Sequence, residues 1–305
     1  DANRQELSAD PERIVQVLVK ALQQGKIAAV KGTGGYLLLC DATNETAVMT
    51  LRNRKHRPQK PFALLYPSAE AASGDVWLTD EEKDWLVQSD GPILLCRLKA
   101  HPASGLRTNV VAPGLDKAGL MLPSAPLLQL IANAFEKPLV ATSANISGSP
   151  IIYKDEEALR RLSGLADLVL TFDREILVPQ DDSVIQRSAG GQRIILRRSR
   201  GLAPNYYPVP YKAAKECLLA FGGELKSAFA LQKDKQVFIS QYLGNQESLD
   251  AQTAFRHTAN HLLQLLDARP DRVLCDSHPG YFVSQEAKSF AAQRGIPVTS
   301  VNHHE

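Results

Sequence analysis

Apolar positions first recur at helical spacing, with Ile14, Val15, Leu18 and Leu22 on one face. Asp10-Pro11 provides a cap followed by a first-turn proline, and Gly25 a stop. Beyond Gly25 the pattern changes to short apolar runs separated by helical segments. The runs 27–31, 37–40, 62–66, 93–98, 139–142 and 168–172 predict strands. Segments 43–53, 80–88, 124–136 and 154–163 predict helices. Segments 183–187 and 193–197 flank Ser188-Ala189-Gly190-Gly191, which predicts a hairpin. The alternation gives an α/β fold, with a twisted sheet that is mixed rather than purely parallel.

Segment 201–211 carries three prolines and no apolar period, which marks a domain boundary. The pattern then restarts with strands at 218–221, 228–231 and 237–240 and a long helix over 246–267. A strand at 272–275, a helix at 284–294 and a strand at 298–301 follow. The expected organisation is a first domain over 1–201, a linker over 202–212 and a second segment over 213–305. That last segment is short for a free-standing α/β domain, so it is expected to be the opening part of a larger one.

The 305 residues are 44% apolar and 22% charged, as in an ordinary globular protein. A net charge of +2 excludes a strongly basic nucleic-acid coat yet allows a local basic cleft. No apolar run suits a membrane span or a signal peptide. Cys40, Cys96, Cys217 and Cys275 form no C-x-x-C pair, so buried thiols in a cytoplasmic protein are expected.

Five segments carry candidate chemistry. Arg52, Arg54, Lys55, Arg57 and Lys60 crowd the stretch before the strand at 62–66, where they suit a triphosphate or equally a solvated basic face. Lys31-Gly32-Thr33-Gly34-Gly35-Tyr36 follows a strand; its glycines suit either close approach to an anion or a tight structural turn. Thr142-Ser143-Ala144-Asn145-Ile146-Ser147-Gly148 sits at a strand's C-terminal end, which suits either a ligand position of an open α/β sheet or a polar loop with capping serines. Asp181-Asp182-Ser183-Val184 and Arg197-Arg198-Ser199-Arg200-Gly201 lie at the ends of the predicted hairpin and can approach one sheet edge. Together they offer cations, hydroxyls and an amide without a nucleophile–base pair. That inventory favours electrostatic stabilisation of phosphoryl or nucleotidyl transfer.

These motifs, in this order over about 10–201, resemble the YrdC-like domain of the HypF carbamoyltransferases. The resemblance implies ATP-dependent activation of a carbamoyl group, from carbamoyl phosphate by way of carbamate, as carbamoyl adenylate. It assigns Lys55, Arg57 and Lys60 to the ATP phosphates and Ser143 and Asn145 to the nucleotide. Ser183, Arg198 and Arg200 would close the site, with Lys31, Thr33 and Tyr36 near the carbamate. It also implies Mg2+ with ATP, and a maturation protein of [NiFe]-hydrogenase whose C-terminal cysteine accepts the carbamoyl group. Segments 221–226, 240–244, 275–279 and 301–305 resemble the start of that family's carbamoyl-transfer domain, of ribonuclease-H-like fold. There the family binds a divalent metal through H-x-x-x-H and a distant aspartate. Only His303 can be assigned, and His303-His304-Glu305 departs from the usual three histidines, as in the tRNA-modifying branch. The family's acylphosphatase-like and zinc-binding modules have no counterpart in this sequence, so carbamoyl phosphate hydrolysis is expected to be missing or impaired.

Two alternatives stand beside this expectation. One is threonylcarbamoyl-adenylate synthesis for tRNA modification, although those enzymes usually carry a PTDT-like strand end where Lys31-Gly32-Thr33-Gly34 stands. The other is a non-catalytic RNA-binding module, disfavoured because no aromatics interleave the basic run. His257 and His261 have i, i+4 spacing without a third ligand and read as solvent-facing or packing residues. Asp276 and His278 follow a strand and are weaker candidates. Glu81, Glu82 and Asp84 fit a helix start, and Trp77, Trp85, Phe135 and Phe172 are expected in the core.

Overall fold

The computed structural model describes residues 10–145, 150–208 and 215–304, and the chain divides after Gly201 into two compact units. In the first unit the strands are β1 (Ala28–Lys31), β2 (Tyr36–Asp41), β3 (Ala63–Leu65), β4 (Val76–Trp77), β5 (Ile93–Leu98), β6 (Lys117–Met121), β7 (Leu139–Ser143), β8 (Leu168–Leu170), β9 (Val184–Arg187) and β10 (Arg193–Arg197). They form one sheet in the order β10-β9-β5-β6-β3-β7-β2-β1-β8, with β4 joined to β5. The β1–β8, β3–β6 and β5–β9 pairs are parallel and the others antiparallel, so the sheet is mixed as expected.

The helices of this unit are α1 (Pro11–Gln23), α2 (Glu45–Arg54), α3 (Ala69–Ala72), α4 (Asp80–Val87), α5 (Thr108–Val111), α6 (Pro126–Phe135) and α7 (Asp155–Arg161). Side-chain caps set several starts: Asp10 accepts from the Arg13 amide and Asn44 from the Ala47 amide. Thr79 and Glu82 form a reciprocal capping box, which accounts for the acidic start of α4. Leu18 and Leu22 of α1 and Leu128, Ile131 and Phe135 of α6 pack with Leu37, Leu39, Leu139 and Ala141 of the sheet. Leu38 pairs with Thr142 and Leu37 with Ser143. Because side chains alternate along a strand, Tyr36 and Thr142 share the face opposite that core.

Three expectations need correction. β6 was not anticipated, because Gly119 interrupts a short apolar run; a Cβ there would meet Ile93 Cγ2 at 2.7 Å, which explains the glycine. Trp77 is not core: it lies 63% exposed on the short strand β4, with the Lys99 ammonium 4.9 Å from its ring centre. The proline-rich segment is not wholly a linker, since Tyr206–Pro208 forms a strand, β11, paired with 236–238.

The second unit continues with β12 (Leu218–Phe221), β13 (Phe229–Lys233), β14 (Gln236–Ile239), α8 (Leu249–Leu265), β15 (Arg272–Asp276), α9 (Phe282–Arg294) and β16 (Val298–Val301). Its sheet runs β11-β14-β13-β12-β15-β16, antiparallel up to β12 and parallel from β12 to β16. Phe221, Phe229, Phe255 and Phe290 centre its core, with ring centroids 5.5 to 5.8 Å apart in the contacting pairs. Three antiparallel strands followed by helix-linked parallel strands is the order expected of a ribonuclease-H-like opening. Among the described residues, no helix is long and apolar enough to cross a membrane.

Candidate functional site

The basic loop is shaped by one of its own arginines. Arg52 ends buried beneath the loop and donates to the carbonyls of Arg57 (2.8 Å), Pro58 (3.3 Å), Lys60 (3.1 Å), Val110 (2.7 Å) and Val111 (3.0 Å). Its guanidinium also lies 4.5 Å from the Phe62 ring centre. Arg54 bonds Asp167 at 3.0 Å and the Leu165 carbonyl at 3.3 Å. Two of the five cations of this run, Arg52 and Arg54, thus bind the protein's own carbonyls and Asp167.

Lys55, Arg57 and Lys60 remain, and Arg197 at the end of β10 joins them. Lys55 is 8% exposed, and its Nζ donates to Ser143 O at 2.7 Å and to Asn145 O and Oδ1 at 3.2 Å each. Burial pushes its pKa down to about 8, with the Arg57 and Lys60 charges adding and Asp181 opposing. Arg57 bonds Thr142 Oγ1 at 3.3 Å and the carbonyls of Lys60 and Pro61. Burial, then the charges of Arg52 and Arg197, bring it down to about 10. Lys60 is exposed and also lowered, by desolvation and by Arg57 and Arg197. The Arg57 charge thus disfavours ionisation of both Lys55 and Lys60, and Arg197 that of Arg57 and Lys60, so positive charge is crowded here.

Asp181 is the carboxylate common to the surroundings of all three. Its Oδ2 stands 3.9 Å from Arg197 Nη1, and the two side chains are 26% and 29% exposed. Burial pushes its carboxyl up, with Asp182 adding to the effect while Arg197, Lys60 and Lys55 oppose it. Arg197 and Asp181 were not singled out individually from the sequence. The signal was the hairpin register, which places the end of β10 beside the residues entering β9.

The other predicted residues fall into distinct groups. Ser143 and Asn145 sit at the end of β7, with Ser143 Oγ 3.1 Å from Asn145 Oδ1 and both held by Lys55. Ile146, Ser147 and Gly148 of that motif lie outside the described residues. Ser183 is buried: its hydroxyl donates to Arg200 O at 2.8 Å and accepts from the Ser199 amide at 2.9 Å. Arg200 bonds Asp182 Oδ1 through Nε and Nη2, each at 2.8 Å, and also reaches Gly91 O. Arg198 is half-buried next to them. In the structure described, Ser183 and Arg200 brace the segment that carries Asp181 and Arg197.

Lys31 and Tyr36 are buried and meet at one carboxylate. Lys31 Nζ lies 2.8 Å from Asp155 Oδ1 and donates to Phe172 O at 2.8 Å, and the Tyr36 hydroxyl donates to Asp155 Oδ1 at 2.7 Å. Burial pushes the Tyr36 phenol up, with Asp155 adding to the shift. Burial opposes ionisation of Asp155, but the bonds from Lys31 and Tyr36 outweigh it and hold the carboxyl below its usual range. Thr33 is exposed at the turn between β1 and β2. The glycines there serve packing: a Cβ on Gly34 would stand 2.2 Å from Gln180 O, and one on Gly35 2.6 Å from Ile151 Cγ1. Gln180 N donates to Gly34 O at 2.9 Å, so the glycine turn anchors the stretch leading to Asp181.

In the second unit, β15 and β16 end side by side, and His303 Nδ1 lies 2.8 Å from Asp276 Oδ2. The His278 amide donates to Asp276 Oδ1 at 2.7 Å, and the His278 ring stacks on Tyr281 at 4.0 Å. The His278 amide bond and His303 hold the Asp276 carboxyl below its usual range. Among the described residues, no group of three or more histidines, cysteines or carboxylates is placed to hold a metal. His303 with Asp276 is too small a donor set by itself.

Comparison with known proteins places these features in a family. Residues 20–199 match the Sua5/YciO/YrdC family model, described as telomere recombination, and 213–305 match the HypF Kae1-like domain. A carbamoyltransferase HypF of Synechocystis sp. is 38% identical over 303 residues, covering 99% of this chain and 38% of that protein. The crystal structure of a full-length HypF in its phosphate- and nucleotide-bound form superposes with a TM-score of 0.86 at 36% identity, over 95% of this chain and 44% of that one. A threonylcarbamoyl-AMP synthase of Vibrio campbellii is 32% identical over 150 residues, 48% of this chain and 79% of that protein. The chain thus spans less than half the length of the HypF proteins it matches. It belongs to the Sua5/YciO/YrdC family, in the form found in HypF carbamoyltransferases, where a YrdC-like domain is joined to a HypF Kae1-like segment.

Proposed function

We propose that the first unit joins carbamate to AMP, the carbamoyl group being drawn from carbamoyl phosphate. A carbamate oxygen attacks the α-phosphorus of ATP, a new P–O bond forms, the α–β bridging bond breaks and pyrophosphate leaves with the bond's electron pair. The observation that carries this reading is the bonding of Lys55 and Arg57 to the Thr142–Asn145 strand end, with Lys60 and Arg197 within charge range of Arg57. Lys55, Arg57 and Arg197, held in place before substrate arrives, stabilise charge that builds on a leaving pyrophosphate, without reorganisation during the reaction. Lys55, Arg57 and Lys60 would hold the phosphates, ATP arriving with Mg2+, and Ser143 and Asn145 would face the nucleotide. Lys31, Thr33 and Tyr36 would border the carbamate, Lys31 and Tyr36 acting through Asp155.

The likeness to nucleotide-bound HypF supports a nucleotide site. Carbamoyl transfer to the C-terminal cysteine of a hydrogenase maturation protein belongs to the same proposal, as does a divalent metal near His303 in the complete second domain. A cytoplasmic location fits four free thiols. A second reading, threonylcarbamoyl-adenylate synthesis, is favoured by the threonylcarbamoyl-AMP synthase relative. The test is pyrophosphate release from ATP with bicarbonate alone, carbamoyl phosphate, freshly generated carbamate, or threonine plus bicarbonate. Release that requires carbamate supports the first reading. Release that requires threonine transfers the assignment to the second, and failure to bind ATP removes both.

A further inference from the structure

The proposed reaction calls for cations around the phosphates, yet the structure places a carboxylate among them. Asp182, one residue on, is fully engaged: its carboxylate pairs with Arg200 at 2.8 Å and its carbonyl accepts from Arg197 Nε at 2.8 Å. Asp181 is different. Its main chain is fixed, because its carbonyl accepts from the Arg200 amide at 3.0 Å and Gln180 is tied to Gly34. Its side chain is only loosely paired, 3.9 Å from Arg197 Nη1, beyond hydrogen-bond length and a quarter exposed. The carboxylate therefore stays at the cluster without a close ion pair to Arg197. The fixed Asp182 carbonyl in turn holds Arg197 by Nε, so its outer nitrogens stay at the same place.

We infer that Asp181 is an internal counter-ion of the phosphate site: it partly neutralises Arg197, Lys55 and Lys60 while the site is empty, and its charge hastens the departure of pyrophosphate. This inference rests on the reading above and extends it to the control of product release. Four cations without an opposing charge would favour a multiply charged product at every turnover. A carboxylate within charge range weakens that hold, since like charges a few ångströms apart repel even where solvent screens them. Arg197 becomes the fourth phosphate ligand, in addition to the three cations of the basic loop.

The experiment is calorimetric titration of the full 305-residue chain with inorganic pyrophosphate, with and without Mg2+, for the wild type, Asp181→Asn, Arg197→Gln and the double variant. Asp181→Asn keeps size and shape and leaves the main-chain bonds of residue 181 intact; Asp181→Ser replaces it if the amide variant does not fold. The expected result is pyrophosphate binding about three- to tenfold tighter in the Asp181 variant, the difference shrinking as salt is raised. Arg197→Gln should bind more weakly, and the double variant should return towards wild type. Unchanged binding in a folded Asp181 variant overturns the inference. Weaker binding seen only with Mg2+ also overturns it and makes Asp181 a ligand of the accompanying cation. A wild type that does not bind pyrophosphate removes the phosphate site itself, and both proposals with it.

Discussion

Lys55→Met separates what this lysine does for the fold from what it does for a ligand. The ammonium makes three hydrogen bonds to the end of β7. Bonds to a charged partner contribute about 1.5–3 kcal/mol each in favourable cases. Against this, a lysine pKa drawn from 10.5 to about 8 costs about 3 kcal/mol to keep charged. Two of the three bonds are 3.2 Å long, so the low end of that range applies and together they contribute about 4.5 kcal/mol. With the cost subtracted and the apolar stem retained by methionine, the net loss of stability should be about 1–2 kcal/mol. For a domain of this size that corresponds to a fall in melting temperature of about 2–8 °C. ATP binding has no such compensation, and losing a charge-assisted phosphate contact should weaken it about 10- to 100-fold. Calorimetric melting and ATP titration on the same preparations read both quantities. A folded variant that binds ATP as the wild type does would refute the argument, and so would a loss of stability well above 3 kcal/mol.

The lysine also predicts a pH dependence with a definite sign. Its folded pKa lies below its unfolded value, so between about pH 8 and 10.5 the unfolded chain binds more protons. Its contribution to stability therefore rises with pH across that window, and Lys55→Met should remove that rise. ATP affinity should move the opposite way, falling as pH rises through about 8, because the anion prefers the protonated amine.

Other substitutions test the remaining assignments. Lys60→Ala, at an exposed position, should weaken ATP turnover about tenfold without a measurable shift in melting; unchanged ATP kinetics in the folded variant would remove Lys60 from the site. Gly34→Ala should cost about 2 kcal/mol or more and weaken ATP binding as well, because its Cβ would collide with the Gln180 carbonyl; a neutral melting result would show that the 180–182 stretch shifts freely. Lys31→Met leaves Asp155 without its cation and should destabilise the unit by about 1–3 kcal/mol while ATP binding persists; lost ATP affinity at unchanged stability would make Lys31 a direct nucleotide ligand.

Much of the fold could be read from periodicity, because most strands are short apolar runs with turn residues at both ends. Residues 218–221 and 298–301 form strands at the predicted boundaries. β6 escaped because a glycine required for packing against Ile93 looks, in one dimension, like a break. Trp77 misled because aromatic character does not reveal that its strand is two residues long at the sheet's margin. The candidate site was legible as a set of segments and less so as individual side chains. Charge alone could not distinguish Arg52, which binds five carbonyls, from Arg57, which faces the cluster. Nor could it show that the glycines after β1 bring in Gln180, or that Asp181 and Asp182, adjacent in sequence, differ in how firmly they are paired.

The most direct test of the central claim is isotope exchange between labelled pyrophosphate and ATP. Adenylate formation is reversible, so exchange reports that step alone and needs no acceptor protein or complete transfer domain. The chain should move label from pyrophosphate into ATP when carbamate is supplied, and not without it. Lys55→Met and Arg57→Gln should suppress the exchange. Absence of exchange with carbamate present, in a chain that demonstrably binds ATP, would contradict carbamoyl-adenylate formation at this site.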